Sequence, residues 1–116
     1  MSKANVQTRP RLRVVTGATI ALGPGKAELL EWLGETGSIT KAAQEMKMSY
    51  MRAWSLIQTM NRCFNQPVVV STHGGAKGGG ARLTKTGRQV LALYQKMEAE
   101  CLRVISPMQK QLEKYL

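Results

Sequence analysis

Residues 37–64 read GSITKAAQEMKMSYMRAWSLIQTMNRCF, and this stretch decides the fold. Gly37 closes whatever helix precedes it. Ser38 is placed as an N-cap, because a serine hydroxyl accepts one of the orphan amides of a helix's first turn. The spacing predicts a short helix from Ile39 to about Met46, with Ile39, Ala42, Ala43 and Met46 on one face. Lys47-Met48 leaves room only for a tight connection. Ser49 repeats the cap signal and opens a third helix that runs to about Phe64, where Asn65-Gln66-Pro67 ends it. The small Ala42-Ala43 pair lets that third helix cross the second at close range.

Outward from this pair, residues 11–22 are rich in β-branched side chains and read as a strand with a break at Gly17. Pro24 suits the first turn of a helix whose Ala27, Leu30, Trp32 and Leu33 follow a helical spacing, and Thr36-Gly37 stops it. Val68–Val70 is a short strand. Gly74–Gly80 holds five glycines and cannot be regular structure; residues 81–83 return as a second strand. The two form a hairpin with a flexible basic tip. Thr84 caps a long helix over 85–116, in which Val90, Tyr94, Met97, Cys101, Val104 and Met108 alternate spacings of four and three in a coiled-coil-like seam. Leu91, Leu102, Ile105 and Leu112 widen it. Pro107 is expected to kink or break this helix near residue 106, letting Leu112 and Leu116 fold back.

The predicted fold is therefore α+β and mostly helical: a winged helix-turn-helix with a long C-terminal dimerisation helix. Residues 1–10 form a flexible N-terminus, 11–89 the DNA-binding domain and 90–116 the dimerisation helix.

Charge says what such a domain would hold. The chain carries a formal net charge of +10 over 116 residues. Residues 46–97 hold eight basic side chains and no acid, and residues 1–27 add five more, again without an acid. All seven acids lie at Glu28, Glu31, Glu35, Glu45, Glu98, Glu100 and Glu113. Such separation is an electrostatic footprint for an anionic partner, double-stranded DNA first.

On the third helix, Tyr50, Ala53, Trp54, Ile57, Met60, Asn61 and Phe64 gather on one side and are expected to pack inward. Met51, Arg52, Ser55, Thr59 and Arg62 gather on the other. Arg52 and Ser55 are the leading base-edge candidates, with Met51, able to touch a thymine methyl, and Tyr50 and Ser49 behind them. Thr59, Arg62, Lys77, Arg82, Lys85 and Arg88 are assigned to phosphates. The seam residues Val90, Tyr94, Met97, Cys101, Val104 and Met108 are assigned to the dimer interface.

Other chemistries find little support. The glycine run departs from a Walker A loop because Gly78 follows Lys77. One histidine, His73, and two distant cysteines, Cys63 and Cys101, do not assemble a zinc site. No nucleophile–base set or carboxylate pair points to catalysis, so the reading is not an enzyme, with no cofactor and no metal. No apolar run approaches the roughly 18 residues of a membrane span, and no secretory signal opens the chain; a cytoplasmic protein with reduced thiols is expected.

The runs Gly37–Ala43, Met48–Trp54, Gly74–Gly80 and Leu83–Gly87, in this order, resemble the N-terminal DNA-binding domain of the molybdate-responsive ModE regulators. Leu83-Thr84 and Gly87 are shared more loosely with LysR-type regulators. The resemblance covers about residues 11–100. It implies a dimeric, sequence-specific DNA-binding domain with its recognition helix at 49–64. Family members often carry a C-terminal oxyanion-binding domain; here the sequence stops at Leu116, so binding of molybdate or another oxyanion by this chain is not expected. Two rival functions remain open: an architectural DNA-binding protein of low specificity, and an interaction module whose last helix docks a partner regulator.

Overall fold

The computed structural model describes residues 5–72 and 80–116. Its elements run β1 (Val14–Thr16), β2 (Thr19–Leu22), α1 (Pro24–Thr36), α2 (Ile39–Glu45), α3 (Tyr50–Cys63), β3 (Val69–Thr72), β4 (Gly80–Leu83) and α4 (Lys85–Glu113). The fold is the mostly helical winged helix-turn-helix that the sequence predicts.

Each helix begins on a local signal. Pro24 opens α1, and Gly37 ends it in the left-handed conformation with its amide on the Leu33 carbonyl at 2.9 Å. Ser38 Oγ accepts the Lys41 amide at 3.1 Å, Ser49 Oγ the Arg52 amide at 3.0 Å and Thr84 Oγ1 the Gly87 amide at 2.9 Å. Leu29, Leu30, Leu33, Ala42, Ala43, Ala53, Ile57, Met60 and Val68 form the core. Ala42 and Ala53 are fully buried, which fits the close crossing of α2 and α3 that small side chains permit. Lys47 turns the chain between them with a positive φ of 55°.

Residues 11–22 differ from the expected single strand. β1 and β2 pair antiparallel around Gly17-Ala18, with Thr16 opposite Thr19. Gly17 has φ +60°, which a two-residue turn with glycine in first place requires. The two runs read as one strand because a Thr-Gly-Ala-Thr turn lacks the usual Asn-Gly or Asp-Gly signature.

The ends of the chain also differ. Residues 5–14 alternate exposed and half-buried, with Val6, Thr8, Pro10, Leu12 and Val14 on the covered side. The segment lies along α4 rather than free: Gln109 Nε2 donates to the Val6 carbonyl at 3.1 Å, and Thr8 Oγ1 bonds Gln109 Oε1. Helix α4 passes through Pro107 to Glu113 without ending near residue 106. Proline removes one amide donor, and the exposed surroundings let water meet the Arg103 carbonyl left without it. Leu112 and Leu116 accordingly stay exposed instead of folding back.

Tyr94 corrects the seam. It is 1% exposed, packed in the chain's own core, and its hydroxyl donates to the Leu12 carbonyl at 2.8 Å. It sits where α4 leaves the domain, and the segment before β1 closes over it. Burial first, and the Glu98 carboxylate second, hold its hydroxyl above its ordinary pKa. The folded state thus favours the protonated form. That contribution is fully present below about pH 10 and is lost as pH rises through the raised value. Tyr94→Phe is expected to cost about 1–2 kcal/mol, since the Leu12 carbonyl loses its donor. It should also remove this part of the alkaline destabilisation. Denaturant melts at pH 8 and pH 11 check both; equal stabilities at pH 8 would contradict the assignment.

Candidate nucleic-acid interface

Asn61 ties the third helix to the wing. Asn61 Oδ1 accepts the Val68 amide at 2.8 Å and the Val69 amide at 3.2 Å, while its Nδ2 donates to the Val69 carbonyl at 3.0 Å. An asparagine can satisfy a strand's donor and acceptor together, so α3 and β3 are locked in one relative position. The wing is fixed again at its base. The Ala81 amide donates to the Gly37 carbonyl and the Thr84 amide to the Val68 carbonyl, each at 3.0 Å. Gly87 packs so closely that a Cβ there would lie 2.1 Å from the Val68 carbonyl oxygen. The helical spacing places Asn61 only on an inward face; its backbone-clamping role depends on where β3 returns, which no local pattern reports.

Ala53, Ile57 and Met60 form the buried face of α3. Arg52 and Ser55 are exposed near its start, and no described residue engages the Arg52 guanidinium. Ser49 is exposed, its oxygen accepting the Arg52 amide. Thr59 is half-buried and its hydroxyl donates to the Ser55 carbonyl at 3.1 Å; exposed Arg62 rests against it, Nη2 to Oγ1 at 3.5 Å. Tyr50 and Trp54 depart from expectation: they are 47% and 43% exposed rather than core residues. On a helical wheel they share a flank with Asn61 and so face the wing, where the two-stranded sheet is too small to cover them.

The remaining phosphate candidates fall in two groups. Arg82 on β4 and Lys85 in the first turn of α4 are exposed. Arg88 is exposed but partly committed, Nη1 donating to the Leu83 carbonyl at 3.1 Å. Lys77 lies outside the described residues, as does His73. The acids gather elsewhere: Glu28, Glu31, Glu35 and Glu98 line a groove of about 440 Å³ between α1 and α4, with Trp32 and Tyr94. Among the described residues, no group of three or more His, Cys, Asp or Glu side chains is placed to hold a metal ion. None of the helices described is long and apolar enough to cross a membrane.

Of the other seam residues, Met97, Val104 and Met108 are 45%, 54% and 56% exposed. Val90 and Cys101 are half-buried, and Val90 packs against the core. Leu93 and Leu112 lie on the same face and are exposed.

Comparison with known proteins agrees with this architecture. Residues 25–88 match the family described as bacterial regulatory helix-turn-helix protein, lysR family. The molybdenum-pterin-binding protein MopB of Rhodobacter capsulatus is 41% identical over 97 residues, 84% of this chain and 35% of that protein. The molybdenum transport protein ModE of Azotobacter vinelandii is 40% identical over 78% of this chain and 33% of its own length. The DNA-binding transcriptional dual regulator ModE of Escherichia coli K12 is 37% identical over 61% of this chain and 27% of its own. The chain thus spans about a third of the length of these relatives. A MarR family protein from Bacillus stearothermophilus shares the fold, with TM-score 0.56 at 17% identity over 81% of this chain and 72% of that one. With its capped helix pair, clamped wing and matched family model, the chain belongs to the lysR family of bacterial regulatory helix-turn-helix proteins, and among them it is similar to the ModE regulators.

Proposed function

We propose that the chain is a sequence-specific DNA-binding transcription regulator that acts in the cytoplasm as a homodimer on a pseudo-palindromic operator. The observation that carries this reading is the exposed, acid-free outer face of α3, held against the wing by Asn61 and flanked by cations. A helix so presented fits the major groove, with the residues of its first turns toward base edges. Arg52 and Ser55 read bases, with Ser49 beside them; an arginine fork pairs with the O6 and N7 of guanine. Thr59, Arg62, Lys77, Arg82, Lys85 and Arg88 set register on phosphates. Binding by these residues needs no molybdate or other oxyanion, and no catalytic step.

Selection of bound duplexes from a random pool, followed by titration of the enriched sequence, tests the proposal. Arg52→Ala is expected to cost about 1–3 kcal/mol on that sequence and to relax preference at one base pair per half-site. Wild-type affinity should be the same with and without added molybdate. An unchanged base preference in Arg52→Ala would show that another element reads the sequence.

A further inference from the structure

We infer that the first turns of the recognition helix read thymine methyl groups, through Tyr50, Met51 and Trp54. This rests on the proposed DNA-binding function and adds the chemical class of the bases recognised. The outer surface of α3 is divided lengthwise. At about 100° per residue, Arg52, Ser55, Thr59 and Arg62 take one half, Tyr50 and Trp54 lie on the other beside Asn61 and the wing, and Met51 stands at the border between them, next to Arg62. Trp54 neighbours both of the others on the helix, Tyr50 at the i, i+4 and Met51 at the i, i+3 spacing. They are 47%, 64% and 43% exposed, so the first turns of α3 carry a contiguous apolar ridge. The helix does not need them for folding, since Ala53, Ile57 and Met60 supply its buried face.

The surroundings identify what covers this ridge. No acid lies between residues 46 and 97, and Arg52, Arg62 and Arg82 are exposed around it, so the occupant is anionic overall yet offers apolar contact. In the major groove the C5-methyl of thymine is the one apolar group on a base edge. Tyr50 also lines a cleft with Ser71, Thr72 and Gly80 of the wing, so the ridge continues into the surface that would approach the backbone. The two halves of the helix then predict an operator half-site in which thymines stand next to a guanine contacted by Arg52.

Deoxyuridine keeps every hydrogen-bonding group of thymine and lacks only the methyl. In the operator enriched from a random pool, each thymine is replaced in turn by deoxyuridine and binding to the wild-type chain is titrated. Two or more positions per half-site are expected to weaken binding, each about fourfold, the effect of one buried methyl. In Met51→Ala and in Trp54→Ala at least one of these positions should become indifferent to the replacement. An operator indifferent to deoxyuridine at every position overturns this inference alone, and that arm uses only wild-type protein. Losses of equal size in wild type and both variants also overturn it. A pool that enriches no sequence overturns the DNA-reading proposal along with it.

Discussion

Operator affinity is expected to fall about a thousandfold or more when monovalent salt rises from about 50 to about 200 mM. Each phosphate contact by a cation releases condensed counterions, so the logarithm of affinity falls linearly with that of salt, at about 0.9 per phosphate neutralised. Arg62, Arg82, Lys85 and Arg88 on the described surface, with Lys77 from the sequence between β3 and β4, give a dimer roughly six to ten such contacts even if some stay unused. Four of the seven glutamates, Glu28, Glu31, Glu35 and Glu98, instead line the groove between α1 and α4. Fluorescence anisotropy across the salt range measures the slope. A flat titration would remove the phosphate contacts from the proposal. Arg88 tests the detail: its bond to the Leu83 carbonyl should make Arg88→Ala lower the slope less than Arg82→Ala.

Met97→Glu is expected to split the proposed dimer and abolish operator binding while the domain stays folded. Helix α4 leaves the core after Tyr94; beyond it none of the helix's described residues is buried. Met97, Val104, Met108 and Leu112 line one face of this overhang, all more than 40% exposed. The molecule is 58 Å long against 33 and 23 Å in its other directions, much of that length being the helix. A two-fold arrangement would cover this face with its own copy and set two recognition helices about 34 Å apart, one turn of DNA. The substitution would place a glutamate from each subunit in the seam, where burying an unpaired carboxylate costs several kcal/mol. The dimer Kd should rise at least about a hundredfold. Since Met97 is half-exposed in the single chain, the melting temperature at high dilution should hardly move. Sedimentation of wild type and variant decides: a wild-type monomer at micromolar concentration would refute the seam.

The seam shows where reading along the chain stops. A four-three repeat reports only that residues share a helix face. It put Tyr94 and Met97 together, although the first is sealed under Leu12 of the same chain and the second is bare. What separates them is how far the domain reaches along α4, a distance set by packing. The N-terminal segment is another such case. Its polar, proline-containing sequence has no pattern of its own, and it is ordered by an α4 more than 90 residues away, through Gln109.

Sequence by itself determined the order of the helices, where each begins and where α1 stops. Caps, proline and glycine act on the backbone within a few residues, so Ser38, Ser49, Thr84, Pro24 and Gly37 could be read where they stand. It also determined the charge footprint, which needs only a count. Tertiary structure alone decided which side of α3 is dry. Tyr50 and Trp54 belong to the hydrophobic side by type, but the core beneath α3 is closed by Ala53, Ile57 and Met60. The short β3–β4 wing, pinned by Asn61, has too little surface to bury two aromatic rings. Burial depends on what arrives from elsewhere in the chain, and helical spacing carries no record of that.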